Sequence, residues 1–357
     1  MTGGFFSPAL CGEVANGKLK WLFEIRGVRK NHSFKRPQGI FLDRSQKKVY
    51  IADTDNREVA VFPFSGEPSS SDPHDPGRMF SDAGIFQTDR PLSSPLCIAT
   101  DSRGRVYISF RDKSSLDVFD AKGRYLCSAP SPDFLKEHEF ASGKFALSPA
   151  GKLYVINRKT QEIWAFELKD GSDNGHAKTQ GSVAVFATGH AKTQGSVAVS
   201  ATGHAKTQDS VAVPVPAFSF RFGGRGSGMG KFQFITDIFF HDDKLYLTDA
   251  QGIPVQVFTS LGKYLYSFGK HGQSAEDFSF PQSVSVDRYQ RIWVADAFRH
   301  RVRVYNQEGS FLFGIGSYGA QAGKLCFPVD LDFDDYGRLY ILEKRSGRFQ
   351  VFEVEAR

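Results

Sequence analysis

The sequence lacks the motifs that mark most enzyme and membrane classes. Its four cysteines, Cys11, Cys97, Cys127 and Cys326, form no C-x-x-C pair and no C-x-x-C-H haem motif, so we predict free or singly paired thiols. No apolar run approaches the roughly 18 residues that a membrane-spanning helix needs. No G-x-S-x-G, H-E-x-x-H or phosphate-loop signature occurs, and no RING, B-box or coiled-coil segment is present. These absences leave a chain without a recognisable catalytic motif.

A short phrase of apolar residues with a central aromatic recurs along the chain. The aromatics are Tyr50, Tyr107, Tyr154, Tyr246, Trp293 and Tyr340, and three of their five spacings are identical. Two insertions account for the longer spacings: residues 67–76, and three tandem copies beginning Gly-His-Ala-Lys-Thr-Gln within residues 175–216. A fixed period of this size indicates a repeat architecture.

Each repeat contains four short runs of alternating apolar residues, bounded by Gly, Asp and Asn. Such runs predict strands, and four strands per repeat are typical of a propeller blade. We therefore predict an all-β, six-bladed β-propeller of four-stranded blades. The sixth repeat ends after its third strand, so we expect Trp21–Ile25 to supply the fourth and close the ring. The predicted organisation is an N-terminal tail over 1–19 and a propeller over 20–357, with the 175–216 insert in the third blade.

Two segments carry a family resemblance. The runs from Asp53 to Phe62 and from Asp296 to Tyr305 resemble NHL repeats, and the resemblance covers about residues 20 to 354. It implies a six-bladed propeller. It also implies a choice of functions, because animal NHL propellers bind RNA or protein on one face. NHL relatives include a peptidyl-amide lyase with metal-binding histidines, and other six-bladed propellers are metal-dependent lactonases. Blade three departs most from the pattern, with Asn157-Arg158-Lys159 in place of the Asp-containing phrase.

Positive charge collects in the loops of one predicted face. With the strands of a blade lettered a to d in chain order, the b–c and d–a loops open on one face and the a–b and c–d loops on the other. The predicted basic rim in the b–c loops contains Arg57, Arg111, Lys113, Arg158, Lys159, Arg299, His300, Arg301, Lys344 and Arg345. The d–a loops add Arg29, Lys30, Lys35, Arg36, Arg225, Lys231, Lys270 and Lys324. Such a face attracts anionic partners, although ordinary solvated loops paired with nearby carboxylates explain the same pattern. In blade four Gln251 interrupts the rim, which makes it the first place to look for an off-centre site.

The histidines do not support a central metal site. Ligands for one metal on the propeller axis should occupy equivalent positions in several blades, whereas the histidines outside the insert occupy unlike positions, His32 and His271 excepted. Asp237 and Asp330 do occupy comparable positions in strand a, where they either bind a cation or hydrate the channel. We expect hydration, and therefore no metal, no cofactor and no catalytic residue.

The sequence thus predicts a non-catalytic binding or scaffold propeller that presents a basic face to a protein or another anionic ligand, such as RNA or a glycan. One alternative is a metal-assisted hydrolase or lyase. The other is an RNA-binding propeller, for which Phe110, Phe298 and Tyr318 are candidate stacking residues. We expect a monomeric ring without a transmembrane segment. No signal peptide is visible, so the sequence as it stands predicts a cytoplasmic protein; an upstream start would make it exported or envelope-associated, with Cys11 as a candidate lipidation site.

Overall fold

A computed structural model describes residues 19–29, 31–64, 80, 83–170, 213–274 and 276–355. They form six four-stranded antiparallel sheets arranged as blades around a central channel. In every blade strand a is innermost, because each strand a contacts the strands a of both neighbouring blades around a closed ring. The predicted all-β six-bladed architecture is confirmed.

The first three blades follow one another directly along the chain. Blade one contains β4 (Gly39–Asp43), β5 (Lys48–Asp53), β6 (Glu58–Pro63) and β7 (Gly84–Ile85). Blade two contains β8 (Pro95–Thr100), β9 (Val106–Phe110), β10 (Leu116–Phe119) and β11 (Tyr125–Ala129), followed by the short helix α1 (Pro132–Glu137). Blade three contains β12 (Ser142–Leu147), β13 (Lys152–Asn157), β14 (Glu162–Asp170) and β15 (Pro214–Gly223).

The last three blades complete the ring. Blade four contains β16 (Ile235–His241), β17 (Lys244–Asp249), β18 (Val255–Thr259) and β19 (Tyr264–Phe268). Blade five contains β20 (Pro281–Val286), β21 (Ile292–Asp296), β22 (Arg301–Tyr305) and β23 (Phe311–Ile315). Blade six contains β24 (Pro328–Phe333), β25 (Leu339–Glu343) and β26 (Arg348–Val354), with β1 (Leu19–Ile25) as its outer strand; a two-stranded ribbon, β2 (Gly27–Arg29) and β3 (His32–Ser33), follows β1.

The N-terminal strand closes the ring as predicted. β1 pairs antiparallel with β26, from Leu19 opposite Val354 to Ile25 opposite Phe349. Leu19, which the sequence analysis assigns to the tail, is therefore part of the blade. The fully buried side chain of Arg348 connects β1 to the rest of blade six, because its guanidinium donates to Glu343 on β25 and to Glu24 on β1. The pairing of β1 with β26 satisfies backbone N–H and C=O groups that would otherwise be exposed at an open sheet edge.

The recurring aromatics form the centres of the interfaces between blades. All six lie in strand b and are at most 3 % exposed. Buried apolar side chains form a cluster between each pair of neighbouring blades, and the aromatics are members of these clusters. Burial of large rings contributes about 1.5–3 kcal/mol per residue, so the repeated phrase identifies the core.

The insertions join strands c and d. In blade three the segment between β14 and β15 contains most of the predicted insert; residues 171–212 lie outside the described residues, and Pro214, Val215 and Pro216 belong to β15. Residues 67–76, between β6 and β7, also lie outside the described part, as does Cys11. Cys97, Cys127 and Cys326 are free thiols, as predicted. Within the described residues, no helix is long and apolar enough to cross a membrane.

Candidate functional site

The middle of the channel is lined by one equivalent position from each inner strand. These six residues lie at the same register near the start of strand a, and in five blades the pairing with strand b is irregular at or directly before them. They are Gly39, Cys97, Lys144, Asp237, Ser283 and Asp330. Two of them, Asp237 and Asp330, are the channel carboxylates of the sequence analysis. The position therefore brings one cation and two carboxylates together.

Lys144 joins the two carboxylates across the channel. Its Nζ lies 2.9 Å from Oδ1 of Asp330 and 3.4 Å from Oδ1 of Asp237. Burial opposes the charged form of Lys144, but the attraction of Asp237 and Asp330 outweighs it and raises the lysine pKa above its ordinary value. Burial also raises the pKa of Asp237 to about 6, although Lys144 acts in the opposite direction. A buried ion pair thus crosses the channel between blades three, four and six.

The carboxylates are occupied by partners of this chain and do not fit a divalent cation. Ser283 Oγ donates to Asp330 Oδ1 at 2.7 Å, and Ile40 N donates to Asp330 Oδ2 at 2.9 Å. Val284 N donates to Asp237 Oδ2 at 3.0 Å. Among the described residues, no group of three or more His, Cys, Asp or Glu side chains is placed to hold a metal ion. The ammonium of Lys144 lies where a metal bound by these two carboxylates would have to lie.

A cavity of about 980 Å³ opens at the a–b end of the channel. Three of the ion pairs at its rim lie each within a single turn. Arg105 Nε lies 2.5 Å from Asp101, Arg291 Nε 2.7 Å from Asp287, and Arg338 Nε 2.5 Å from Asp334. The strand-b ring of the same blade also donates to each of these carboxylates: Tyr107 at 3.1 Å, Trp293 at 2.9 Å and Tyr340 at 3.2 Å. This end of the channel repeats one neutralised structural motif.

On the opposite face, the acids at the end of strand b hold the d–a loops in place. Asp53 accepts a hydrogen bond from Lys35 N at 2.7 Å, and Asp296 accepts from Phe280 N at 3.0 Å. Asp249 accepts from Phe234 N at 2.9 Å in the same way. Burial raises the pKa of Asp53 to about 6. These acids are fully buried and do not pair with the rim cations that follow them. Asp296 pairs instead with Arg303, a buried residue of strand c.

The predicted rim residues divide by exposure. Arg57, Arg111, Lys159, Arg301 and Arg345 are exposed, whereas Lys113, Arg158, Arg299, His300 and Lys344 are partly buried. Several of the second group contact their own surroundings: Lys113 pairs with Asp117 at 2.7 Å, Arg158 donates to Ser142 O at 2.6 Å, and Arg299 donates to Gly272 O. The structure therefore places the ten residues on one face but does not gather all of them in one site.

Two arginines pair with Asp55 at this face and Lys344 interacts electrostatically with all three; we call the four residues the Asp55 cluster. Arg36 Nε lies 3.2 Å from Asp55 Oδ2, and Arg111 Nη2 lies 3.4 Å from Asp55 Oδ1. Burial and repulsion by Arg36 and Arg111 lower the pKa of Lys344, while Asp55 acts in the opposite direction. Two members, Arg111 and Lys344, belong to the predicted rim, and Arg36 belongs to the d–a set. Asp55 was not singled out from the sequence. The cluster carries an excess of positive charge.

The candidate stacking residues differ in exposure. Phe110 is completely buried, so that candidate is wrong, whereas Phe298 is 53 % and Tyr318 65 % exposed.

A shallow depression of about 320 Å³ lies at the interruption of the rim, lined by Gln251, Lys270 and His271 among others. His300 follows Phe298 closely in the chain, and burial and the charge of Arg345 lower its pKa.

The comparisons with known proteins agree with this geometry at the level of the fold. A family model described as a 6-bladed beta-propeller (DUF5128) matches residues 230–316. The chain is a six-bladed β-propeller. No curated protein has a sequence that matches this propeller.

Solved structures with the same fold have very different sequences. The propeller is similar to a gluconolactonase from Xanthomonas campestris, with 12 % identity, a TM-score of 0.57 and coverage of 99 % of this chain and 98 % of the other. It is similar to virginiamycin B lyase from Staphylococcus aureus, with 12 % identity, a TM-score of 0.54 and coverage of 93 % and 98 %. A Bacteroides thetaiotaomicron protein of unknown function has 15 % identity, a TM-score of 0.56 and coverage of 92 % and 72 %. At such identities the similarity describes the fold alone.

Proposed function

We propose that the propeller is a non-catalytic binding module whose b–c/d–a face takes an anionic protein partner. The observation that carries the proposal is the Asp55 cluster, in which Arg36 and Arg111 pair with one carboxylate and Lys344 interacts electrostatically with all three. Burial and repulsion by Arg36 and Arg111 lower the pKa of Lys344, so the positive charge of this lysine opposes folding. An arriving carboxylate would relieve this repulsion. The NHL-like repeats agree with a face of this kind.

The hydrolase or lyase alternative receives less support from the channel. That alternative needs inward ligands from several blades, and the channel carboxylates Asp237 and Asp330 are engaged by Lys144 and by Ser283. Lys144 places one positive charge between these two carboxylates, where an added cation would have to lie. The similar folds include a lyase and a gluconolactonase, but the chain shares little sequence with either.

A polyanion tests the proposed face directly. Poly-L-glutamate labelled with a fluorophore should bind the wild type in an anisotropy titration, and the affinity should fall as salt is added, because ion pairs are screened. The double variant Arg111→Ala, Lys344→Gln should bind about 10-fold more weakly, as expected when two charge contacts of the order of 0.7 kcal/mol each are lost. Its salt dependence should be shallower.

The matched control removes two exposed cations from the opposite face. Arg103 and Lys122 lie in the a–b and c–d turns of blade two, and both are exposed. The variant Arg103→Ala, Lys122→Ala carries the same loss of net charge and should bind within about 2-fold of the wild type, because those charges lie on the other face. Equal weakening by both double variants would mean that only net charge matters and would remove the proposal.

A further inference from the structure

The b–c/d–a mouth of the channel has equivalent positions in blades two to six, defined by one repeated hydrogen bond. In each of these blades the residue directly after strand b donates its N–H to the carbonyl of the residue directly before strand a. The pairs are Arg111 with Ser94, Arg158 with Ala141, Ala250 with Phe234, Ala297 with Phe280, and Lys344 with Phe327, at 2.8–3.0 Å. In blade one the corresponding bond, from Asp55 N to Lys35 O at 3.1 Å, lies farther from both strands. The repeated bond makes the residues at these positions directly comparable, and they differ sharply in chemistry.

Aromatic side chains occupy one half of the mouth. Phe234, Phe280 and Phe327 directly precede the inner strands of blades four, five and six, so they lie at the end of the channel. Phe298 links them, because its ring centroid lies 4.6 Å from that of Phe280 and 5.4 Å from that of Phe327. We call these four residues the aromatic arc. Phe234 is 44 % and Phe298 53 % exposed, which is unusual for phenylalanines that contact other rings.

The aromatic arc adjoins the Asp55 cluster. Phe327 O accepts the hydrogen bond of Lys344 N at 3.0 Å, so the last ring of the arc and the first cation of the cluster are backbone neighbours across two loops. Blades four and five have alanines at the positions where blades two and six have Arg111 and Lys344. The mouth is thus divided into an apolar half and a cationic half that meet at blade six.

We propose that this mouth binds an extended protein segment in which a large apolar side chain stands next to carboxylates. The apolar side chain packs on the aromatic arc, and the carboxylates pair with Arg36, Arg111 and Lys344. The proposal rests on the proposed function and narrows the partner to one class. Aromatic and arginine side chains dominate the affinity of protein interfaces, and this mouth offers both.

The segregation of the two halves favours a protein segment over a single-stranded nucleic acid. Every nucleotide carries both a phosphate and a base, so grooves for single strands combine cations and stacking rings along their length. Here the rings lie in blades four to six and the Asp55 cluster lies in blades one, two and six, so the two groups share blade six alone. A polypeptide matches such a surface, because its acidic and apolar side chains can be grouped separately along the chain.

Two labelled dodecapeptides provide the test with the full chain. The first consists of Asp-Asp-Glu-Phe-Phe-Pro repeated twice, and the second has alanine in place of phenylalanine. By anisotropy titration the wild type should bind the first peptide about 10-fold more tightly, which corresponds to burial of a phenylalanine side chain in part. Phe298→Ala should remove most of this preference while changing affinity for the second peptide by less than about 2-fold.

Leu261→Ala is the matched control, because Leu261 is 70 % exposed in the c–d turn of blade four on the opposite face. It should leave the preference intact. Equal affinity for both peptides, or a preference that survives Phe298→Ala, would overturn the inference; if Arg111→Ala still weakened binding of both peptides, the proposed face for an anionic partner would stand. Tighter binding of a labelled oligouridylate, lost on Phe298→Ala, would instead identify a nucleic-acid site and overturn the inference.

Discussion

The two ends of the channel differ in how their charged side chains are paired. At the a–b end of blades two, five and six, one Asp pairs with an Arg four residues later, and a strand-b ring or a backbone N–H occupies its remaining lone pairs. At the b–c/d–a end, Arg36 and Arg111 from two blades pair with Asp55, and Lys344 from a third blade adds a further positive charge. The first arrangement recurs in blades two, five and six, whereas the second occurs once in the described residues.

This difference distinguishes charge pairs that stabilise the repeat from a charge group that is available to a binding partner. A charge pair that recurs in several blades stabilises the turn in which it lies, so it reports on the fold. A charge group that occurs once and contains mutually repelling cations is not explained by the stability of the repeat, so it is the better candidate for binding a partner. The comparison predicts that substitutions at the a–b end and inside the channel lower stability, whereas substitutions at the other end mainly alter binding.

The largest effect is expected inside the channel, between the two ends. Lys144→Met leaves Asp237 and Asp330 buried without their cation, and breaking a buried ion pair in this way costs about 3–5 kcal/mol. Urea unfolding at neutral pH measures this loss. The triple variant Lys144→Met, Asp237→Asn, Asp330→Asn carries no buried charge at these positions and should recover most of it. A single variant as stable as the wild type would show that the ion pair is not what holds this layer.

The loss caused by Lys144→Met should depend on pH. Without the ammonium the pKa of Asp237, already raised to about 6 by burial, rises further. A carboxyl whose pKa is higher in the folded state than in the unfolded state lowers stability progressively as pH rises from the unfolded pKa to the folded pKa, and the full cost remains above the folded pKa. The difference in unfolding free energy between wild type and variant should therefore be smaller at pH 5 than at pH 8. A loss that is independent of pH would contradict this electrostatic cause.

A matched pair of aspartates tests the comparison between the two ends. Asp334→Ala removes a buried carboxylate that binds Arg338, Tyr340 and backbone N–H groups, and should cost about 2–3 kcal/mol. Asp55→Ala, at the other end, removes a partly exposed partner and should cost about 0–1 kcal/mol. Thermal or urea unfolding of both variants gives the ratio. Equal losses would show that the Asp55 cluster is as structural as the a–b turns.

The sequence predicts the blades because the period-forming aromatics are the buried centres of the interfaces. That the b–c/d–a face is basic stays a prediction of the sequence. The prediction that Phe110 is a stacking residue was wrong, although alignment of the repeats indicates its burial. Phe110 occupies the position of Asp53 in blade one and Asp296 in blade five, and both are fully buried. Lys144 was missed for a similar reason, because it occupies the strand-a position of Asp237 and Asp330 in the blade that departs most from the pattern. In both cases alignment by register supplies the signal.

The Asp55 cluster was beyond the reach of the sequence. Its members come from a d–a loop and from the b–c loops of three blades, and their convergence depends on the direction of long side chains across blade boundaries. The sequence assigned Arg57 as the cation of blade one, whereas the structure places Arg36 in the cluster. The aromatic arc was partly visible, since Phe298 was singled out, but its contact with Phe280 and Phe327 requires the closed ring.

The smallest effect on stability is the sharpest test of the comparison. Lys344→Gln should stabilise the protein by a few tenths of a kcal/mol at pH 7, because it removes repulsion with Arg36 and Arg111 that solvent partly screens. The lowered pKa of Lys344 means that the folded state binds this proton less tightly than the unfolded state. The cost is therefore present at neutral pH and disappears as pH rises through the folded pKa toward 10.5, so the advantage of the variant should vanish there. The same variant should bind poly-L-glutamate more weakly at pH 7. Stability that falls together with binding would assign Lys344 a structural role and erase the distinction between the two ends of the channel.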